Sequence, residues 1–126
     1  MCNENIIISC IKQESFLKGW LVAKGYFNPV KALNLAIEKH NGVTRKSGEP
    51  YVSHPVKVVN DLISRGIDDE IIFIAGLLHD IIEDTDITEE VLREMFPAES
   101  VDIIVLVTKE KGLSLDLYFK KNISKL

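Results

Sequence analysis

The residues best suited to chemistry lie at the end of the most apolar stretch of the chain, residues 71–86. There His79, Asp80, Glu83 and Asp84 close an almost uninterrupted apolar run. Because residues four apart share one face of a helix, His79 would stack over Glu83 and Asp80 over Asp84. Buried charges are costly unless they are paired or bind a metal ion. The pattern predicts a metal or catalytic site at the end of a central helix.

A second histidine, His54, lies in the first turn of another predicted helix, directly after a capping residue, Ser53. The helix dipole disfavours a charged imidazole at that end, which suits a metal ligand because ligating histidines must be neutral. A single histidine is still more often structural, and we expect His40 to be packed against an apolar helix face. Two imidazoles with Asp80 would suit Mn, Fe or Zn.

A polar loop, residues 44–53, precedes this helix and carries the adjacent cations Arg45 and Lys46 next to Ser47. One interpretation is a solvated surface loop. The other is an anion-binding loop, since arginine offers a planar donor fork and lysine a point charge for phosphate. Taken alone, the loop favours the first interpretation.

The bulk composition indicates one globular domain. The chain has 126 residues, of which 46% are hydrophobic and 27% charged. The net charge of −4 gives no basic surface for nucleic acid. Cys2 and Cys10 lack metal-type spacing and indicate free thiols in a reducing compartment. No signal peptide is visible, and the apolar run 71–82 is shorter than the roughly 20 residues that span a membrane, so we expect a cytoplasmic protein.

Helix periodicity and breakers predict an all-α bundle of five to seven helices, with no clear strand. We expect residues 1–27 to form an N-terminal extension, with a short helix that stops at Gly25 and aromatic residues Trp20, Tyr26 and Phe27 packed on a domain at 28–126. The predicted limits of the following helices are N-caps at Asn28, Ser53, Asp68, Asp86 and Ser114, stops at Gly42, Gly66 and Pro97, a central helix that ends near Asp84, and an apolar segment at 99–107.

Two motifs in this order carry a family resemblance. RKSGEPYVSHP at 45–55 and HDIIEDT at 79–85 resemble the hydrolase domain of the RelA/SpoT family, within the HD-domain phosphohydrolases. The resemblance covers about residues 28–112. It implies an HD-domain helical bundle that removes the 3′-pyrophosphate from the alarmones ppGpp and pppGpp, with a guanine nucleotide as the partner of the site.

The resemblance also implies a role for each matching residue. These roles are ligands to Mn²⁺ (His54, His79 and Asp80), an acidic pair that orients or activates the attacking water (Glu83 and Asp84), a contact with the guanine base (Arg45) and further residues of the nucleotide-binding loop (Lys46 and Ser47). A bound divalent ion lowers the pKa of its water, and a neighbouring carboxylate can accept the proton.

The chain departs from the family pattern at its end. The family's fourth metal ligand is an aspartate in a later stretch like LADRLHN. The chain ends at Leu126, before any such stretch. Asp102 and Asp116 are the only later aspartates and lie in other contexts. This predicts a reading frame or fragment truncated at its C-terminus. Apolar surface exposed by the loss would favour self-association, which predicts a homodimer.

Two other functions fit the same residues. One is an HD phosphohydrolase of another nucleotide, against which the RKSGEPY loop argues. The other is a catalytically inactive HD-fold binding module, which the missing aspartate favours. The Glu83–Asp84 pair argues against it. The apolar neighbours of the 79–84 cluster predict that these carboxylates are buried, and an inactive module has little use for buried carboxylates.

Overall fold

The computed structural model describes residues 4–46 and 48–109. This part of the chain forms seven helices and, at Thr44 and Pro50, an isolated antiparallel bridge. The helices are α1 (Glu4–Lys24), α2 (Phe27–Lys39), α3 (Ser53–Ser64), α4 (Glu70–Leu78), α5 (Ile81–Asp84), α6 (Glu89–Met95) and α7 (Ala98–Lys109). The all-α prediction is confirmed. The predicted helix that begins at Ser114 lies outside the described residues.

Helix α4 is the centre of the bundle and contacts α2, α3 and α7. Every residue from Ile72 to Leu78 is buried, as expected for a helix that is apolar on all sides. Its N-cap is Asp69, whose Oδ1 accepts from the backbone N–H groups of Ile71 and Ile72. The predicted cap, Asp68, is wrong by one residue.

The predicted central helix does not continue to Asp84. Helix α4 ends at Leu78, and Asp80 has φ −101° and ψ 0°, outside the helical range. The hydrogen-bond partner changes at this point, because Nδ1 of His79 lies 2.8 Å from the carbonyl oxygen of Gly76. A continuing helix would use that carbonyl for the N–H of Asp80.

The predicted N-caps of helices α2 and α3 are also wrong. Helix α2 begins at Phe27, before the predicted cap Asn28, and its N-cap position is held by Tyr26 without a side-chain hydrogen bond. Helix α3 begins at Ser53 itself. The hydroxyl of Ser53 donates to the carboxylate of Glu49 and therefore serves the preceding loop.

Helix α1 is longer than predicted and packs on α2 and α3. Leu17 and Leu21 are fully buried in the same core as α4. The predicted stop is confirmed, since Gly25 has φ 76°, a conformation that favours glycine. Trp20 packs edge-on against Phe73 at 5.7 Å between ring centroids. Phe27 corrects the aromatic prediction because it is 69% exposed.

Helices α6 and α7 pack on each other, and α7 also contacts α4. Helix α6 is capped by Thr88, whose Oγ1 accepts from the N–H of Val91. The predicted cap, Asp86, instead forms an ion pair with Lys39 at 3.2 Å. Helix α7 corresponds to the predicted apolar segment at 99–107. Across residues 4–46 and 48–109, every helix is too short or too polar to cross a lipid bilayer.

Candidate metal centre and adjoining cavity

Three predicted ligands converge where α3 begins and α4 ends. His54 lies in the first turn of α3, and His79 and Asp80 follow α4 directly. One donor atom from each lies within 4.8 Å of the other two. The two imidazole rings meet edge-on, with centroids 5.2 Å apart and planes at 71°.

His79 is held in one orientation by its surroundings. Its side chain is 7% exposed, and Nδ1 donates to the carbonyl oxygen of Gly76 at 2.8 Å, since a carbonyl can only accept. Nε2 lies 2.9 Å from Oδ2 of Asp80. With the proton on Nδ1, the atom that faces the carboxylate carries a lone pair, and two such atoms this close require a cation between them. That cation is a proton or a metal ion.

Asp80 is suited to remain ionised. Burial by itself raises the pKa of a carboxyl group, but the hydrogen bond and charge of His79, the hydroxyl of Tyr51 and the charge of His54 outweigh it. The pKa of Asp80 is therefore lowered from its ordinary value. An ionised carboxylate is the form that binds a metal ion.

The donor set fits a divalent cation. Two imidazole nitrogens and one carboxylate oxygen are typical of sites for Mn, Fe or Zn. The hydrogen bond from His79 to a backbone carbonyl is the kind of support that fixes the tautomer of a ligating histidine. His54, His79 and Asp80 are thus the residues of the described chain that could hold such an ion.

A cavity of about 660 Å³ adjoins this centre. Its volume lies within the range of small-molecule sites, about 300–1,000 Å³. The residues that line it come from the end of α2, the polar loop and the end of α5: His40, Val43, Thr44, Arg45, Lys46, Tyr51 and Asp84. The two cations and Asp84 therefore line the same cavity.

The loop that carries the cations is held by its own backbone. The N–H of Arg45 donates to the carbonyl of Glu49, and the N–H of Gly48 donates to the carbonyl of Arg45, both at 2.8 Å. Gly48 has φ 90°, which this tight turn requires. The carboxylate of Glu49 also accepts from Ser53 and from Lys57, so the loop is tied to the first turns of α3. These hydrogen bonds thus fix Arg45, Gly48 and Glu49 relative to α3.

Tyr51 is a site residue that the sequence pattern did not single out. Its hydroxyl lies 2.6 Å from Oδ2 of Asp84 and 3.0 Å from Oδ2 of Asp80. Burial and both carboxylates raise the pKa of Tyr51, so it remains a neutral hydrogen-bond donor. Its ring stacks on that of His40, with centroids 4.6 Å apart. The available signals were its place in the RKSGEPYVSHP motif and its position three residues before His54.

Other predicted site residues lie elsewhere or outside the described chain. Glu83 is exposed and is not among the described residues that line the cavity. Asp84 lines the cavity but is also exposed, so the predicted burial of the acidic pair is wrong. Asp102 forms an ion pair with Arg93 at 2.9 Å. Ser47 and Asp116 lie outside the described residues.

His40 agrees with the expectation of a packed histidine, since it is only 4% exposed. Burial lowers the pKa of His40, against the opposite effect of Asp84 and Asp80. It therefore presents a neutral ring to Tyr51.

Comparison with known proteins gives a consistent set of similarities. The chain is 46% identical over 79 residues to the guanosine-3′,5′-bis(diphosphate) 3′-pyrophosphohydrolase of Aquifex aeolicus (strain VF5), a match that covers 63% of this chain and 11% of that protein. It is equally similar, 46% over 79 residues, to the GTP pyrophosphokinase of Myxococcus xanthus, covering 63% of this chain and 10% of that protein. The chain thus spans about a tenth of the length of the curated relatives it matches.

A solved structure shows the same fold. A metazoan ortholog of SpoT that hydrolyzes ppGpp superposes with a TM-score of 0.62 at 32% identity. The match covers 69% of this chain and 51% of that one. The HD-domain family model matches residues 32–115, a segment that contains both histidines of the centre, Asp80 and the cavity loop. The chain therefore belongs to the HD-domain family.

Proposed function

We propose that this chain is a metal-dependent hydrolase that removes the 3′-pyrophosphate from ppGpp and pppGpp. The observation that carries the proposal is the convergence of His54, His79 and Asp80 beside a cavity lined by Arg45 and Lys46. A metal site next to a cationic, nucleotide-sized cavity suits hydrolysis of a phosphorylated nucleotide. The names of the Aquifex relative and the metazoan structure support ppGpp as the substrate.

His54, His79 and Asp80 would hold the ion, for which Mn²⁺ is our proposal. When bound, a divalent ion lowers the pKa of water and offsets charge on phosphoryl oxygens. The chain's own part is to fix the donors, and the bond from His79 to the Gly76 carbonyl does so for one imidazole. The Mn²⁺ preference, the cytoplasmic location and the homodimer stay predictions.

Asp84 is our candidate for the proton acceptor. It lines the cavity and shares the hydroxyl of Tyr51 with Asp80, which brings it next to the metal centre. In the proposed reaction a water oxygen bonds to the phosphorus attached to O3′, the bond from phosphorus to O3′ breaks, and O3′ takes a proton. The products are GDP or GTP and pyrophosphate. Glu83 is exposed and is not among the described residues that line the cavity. Its proposed role is to help Asp84 orient the attacking water.

Arg45 and Lys46 are the proposed nucleotide-binding residues, with Ser47 of the same loop. Both cations line the cavity. Arginine can stack its planar guanidinium on a base, and lysine can offset phosphate charge. The backbone hydrogen bonds of Arg45 with Glu49 and Gly48 support the proposal, because they fix the main chain that carries this side chain beside the cavity.

The test is the double variant His79→Ala with Asp80→Ala. We expect it to lose both bound metal, measured by elemental analysis, and release of pyrophosphate from ppGpp. The matched control is Asp61→Ala with Arg65→Ala, which removes an exposed ion pair at the far end of α3. Persistence of metal and hydrolysis in the first double variant would contradict the assignment.

An inactive binding module is the second candidate, favoured by the exposure of Glu83 and Asp84. It predicts that the chain binds Mn²⁺ and ppGpp without releasing pyrophosphate. A hydrolase of another nucleotide would instead act on guanosine or adenosine phosphates that lack a 3′-pyrophosphate. Product analysis with these substrates separates the three functions.

A further inference from the structure

The hydroxyl of Tyr51 connects the metal centre to the cavity. It lies 3.0 Å from Oδ2 of Asp80, which belongs to the ligand cluster, and 2.6 Å from Oδ2 of Asp84, which lines the cavity. The two acids are one helical turn apart, since the N–H of Asp84 donates to the carbonyl of Asp80 at 3.0 Å. A hydroxyl has one proton, so it serves the two oxygens in turn or in a three-centre bond.

Tyr51 is held both at its main chain and at its ring. Its N–H donates to the carbonyl of Val43 at 2.8 Å, and its carbonyl accepts from the N–H of His54 at 3.1 Å. The buried ring of His40 covers one side, with centroids 4.6 Å apart. The hydroxyl is therefore placed by the end of α2, by the loop and by the start of α3, and not by the two acids alone.

We propose that Tyr51 is a positioning residue that aligns Asp80 toward the metal ion and Asp84 toward the attacking water. This inference rests on the proposed hydrolase function. Carboxylates that bind a metal are themselves held by hydrogen bonds, and loss of such a partner typically costs about 10–100-fold in metal affinity or activity. Asp84 is exposed and is the last residue of the short helix α5. Without the hydroxyl, its carboxylate would therefore be free to rotate into solvent.

The hydrogen bonds of the hydroxyl distinguish this role from substrate binding. Tyr51 lines the same cavity as Arg45 and Lys46, but its hydroxyl is engaged with the two acids. Its removal should therefore lower kcat and metal affinity and leave the affinity for the nucleotide nearly unchanged. A misplacement of about 1 Å in a reacting group is sufficient for a loss of about 100-fold.

The test is Tyr51→Phe, which keeps the ring on His40 and removes only the hydroxyl. Calorimetric titration of the metal-free protein with Mn²⁺ should show a dissociation constant about tenfold higher. With ppGpp, kcat should fall about 10–100-fold while KM changes by less than about threefold. The matched control is Tyr26→Phe, which removes the hydroxyl that donates to Asp68 at 2.6 Å, and it should change none of these quantities.

Two results would overturn the inference: a Mn²⁺ affinity equal to that of the parent chain, or a rise in KM with kcat unchanged, which would make Tyr51 a substrate contact. The Mn²⁺ titration does not depend on turnover. If the parent chain binds Mn²⁺ but releases no pyrophosphate, the hydrolase proposal fails. The titration of Tyr51→Phe then still decides whether Tyr51 positions Asp80.

Discussion

His79 and Gly76 are joined by a hydrogen bond of 2.8 Å between Nδ1 and the backbone carbonyl, at the C-terminal end of α4. This contact lies where the central helix ends, and it sets the tautomer of a proposed ligand. One bond therefore links the limit of a secondary structure element to the chemistry of the site.

Gly76 is also packed closely against α3. A Cβ at this position would lie 3.0 Å from Cγ2 of the fully buried Val59. Overpacking costs about 1–3 kcal/mol, whereas alanine is about 1 kcal/mol more favourable than glycine in a helix. We expect Gly76→Ala to lower the free energy of unfolding by about 1 kcal/mol.

The effect of Gly76→Ala on the free energy of unfolding should change sign when the side chain at position 59 is made smaller. In a Val59→Ala background the clashing methyl is absent, so Gly76→Ala should raise the free energy of unfolding by about 1 kcal/mol relative to Val59→Ala alone. Chemical denaturation of the four proteins of this cycle measures both effects. Equal destabilisation in the two backgrounds would show that the contact with Val59 is not the cause.

Arg45→Ala should weaken binding of ppGpp about tenfold or more, because charge-assisted hydrogen bonds contribute about 1.5–3 kcal/mol. The affinity for Mn²⁺ should stay unchanged, since Arg45 lines the cavity and is not part of the ligand cluster. The control is Arg65→Ala, which removes another exposed arginine, at the C-cap of α3. Loss of metal in Arg45→Ala would mean that the loop has a structural role.

The lowered pKa of His40 predicts that the free energy of unfolding depends on pH. Its pKa in the folded protein is lowered from 6.5 by burial, and the nearby His79 acts in the same direction. The unfolded chain therefore takes up the proton first as pH falls. The stability from His40 is full above about pH 6.5 and is lost as pH falls from there toward the folded pKa.

The measurement is the free energy of unfolding at several pH values between neutral and mildly acidic, with a chelator present. We expect the wild-type chain to lose more stability across this range than His40→Phe, which keeps a ring on Tyr51 and cannot titrate. The comparison isolates His40 because His54, His79 and the nearby acids are common to both proteins. Equal slopes would contradict the prediction.

Helix α1 should be part of the folding unit. Leu17 is fully buried, whereas its neighbour Phe16 is 56% exposed. We expect Leu17→Ala to lower the free energy of unfolding by about 2–5 kcal/mol and Phe16→Ala to change it by less than about 0.5 kcal/mol. Thermal or chemical denaturation measures both. If neither variant changes stability, residues 1–27 are an extension that folds separately from 28–126.

The sequence predicted the class of fold, and the three residues that converge beside α4, better than the limits of the helices. Apolar periodicity is a local property, and so are the types of His79 and Asp80. Caps depend on competition with distant groups. Asp68 is a good cap by type, yet Lys24 and Tyr26 take up its oxygens, and Asp69 caps α4 instead. Asp86 is likewise taken up by Lys39.

The role of Tyr51 could not be predicted for a related reason. Its hydroxyl meets acids that are 29 and 33 residues further along the chain. Hydrophobic periodicity fixes which side of a helix faces the core, but it gives no distance between a loop and the end of another helix. The break after Leu78 was hidden as well, because neither glycine nor proline occurs at 79 or 80.

The proposed hydrolase activity is tested most directly by analysis of the products formed from ppGpp by the purified chain, with Mn²⁺ and with a chelator. The proposed hydrolase should release GDP and pyrophosphate in equal amounts with Mn²⁺, and neither with the chelator. Formation of orthophosphate in place of pyrophosphate would contradict it. Binding of Mn²⁺ and ppGpp with no product would contradict it as well, and would identify the chain as a binding module.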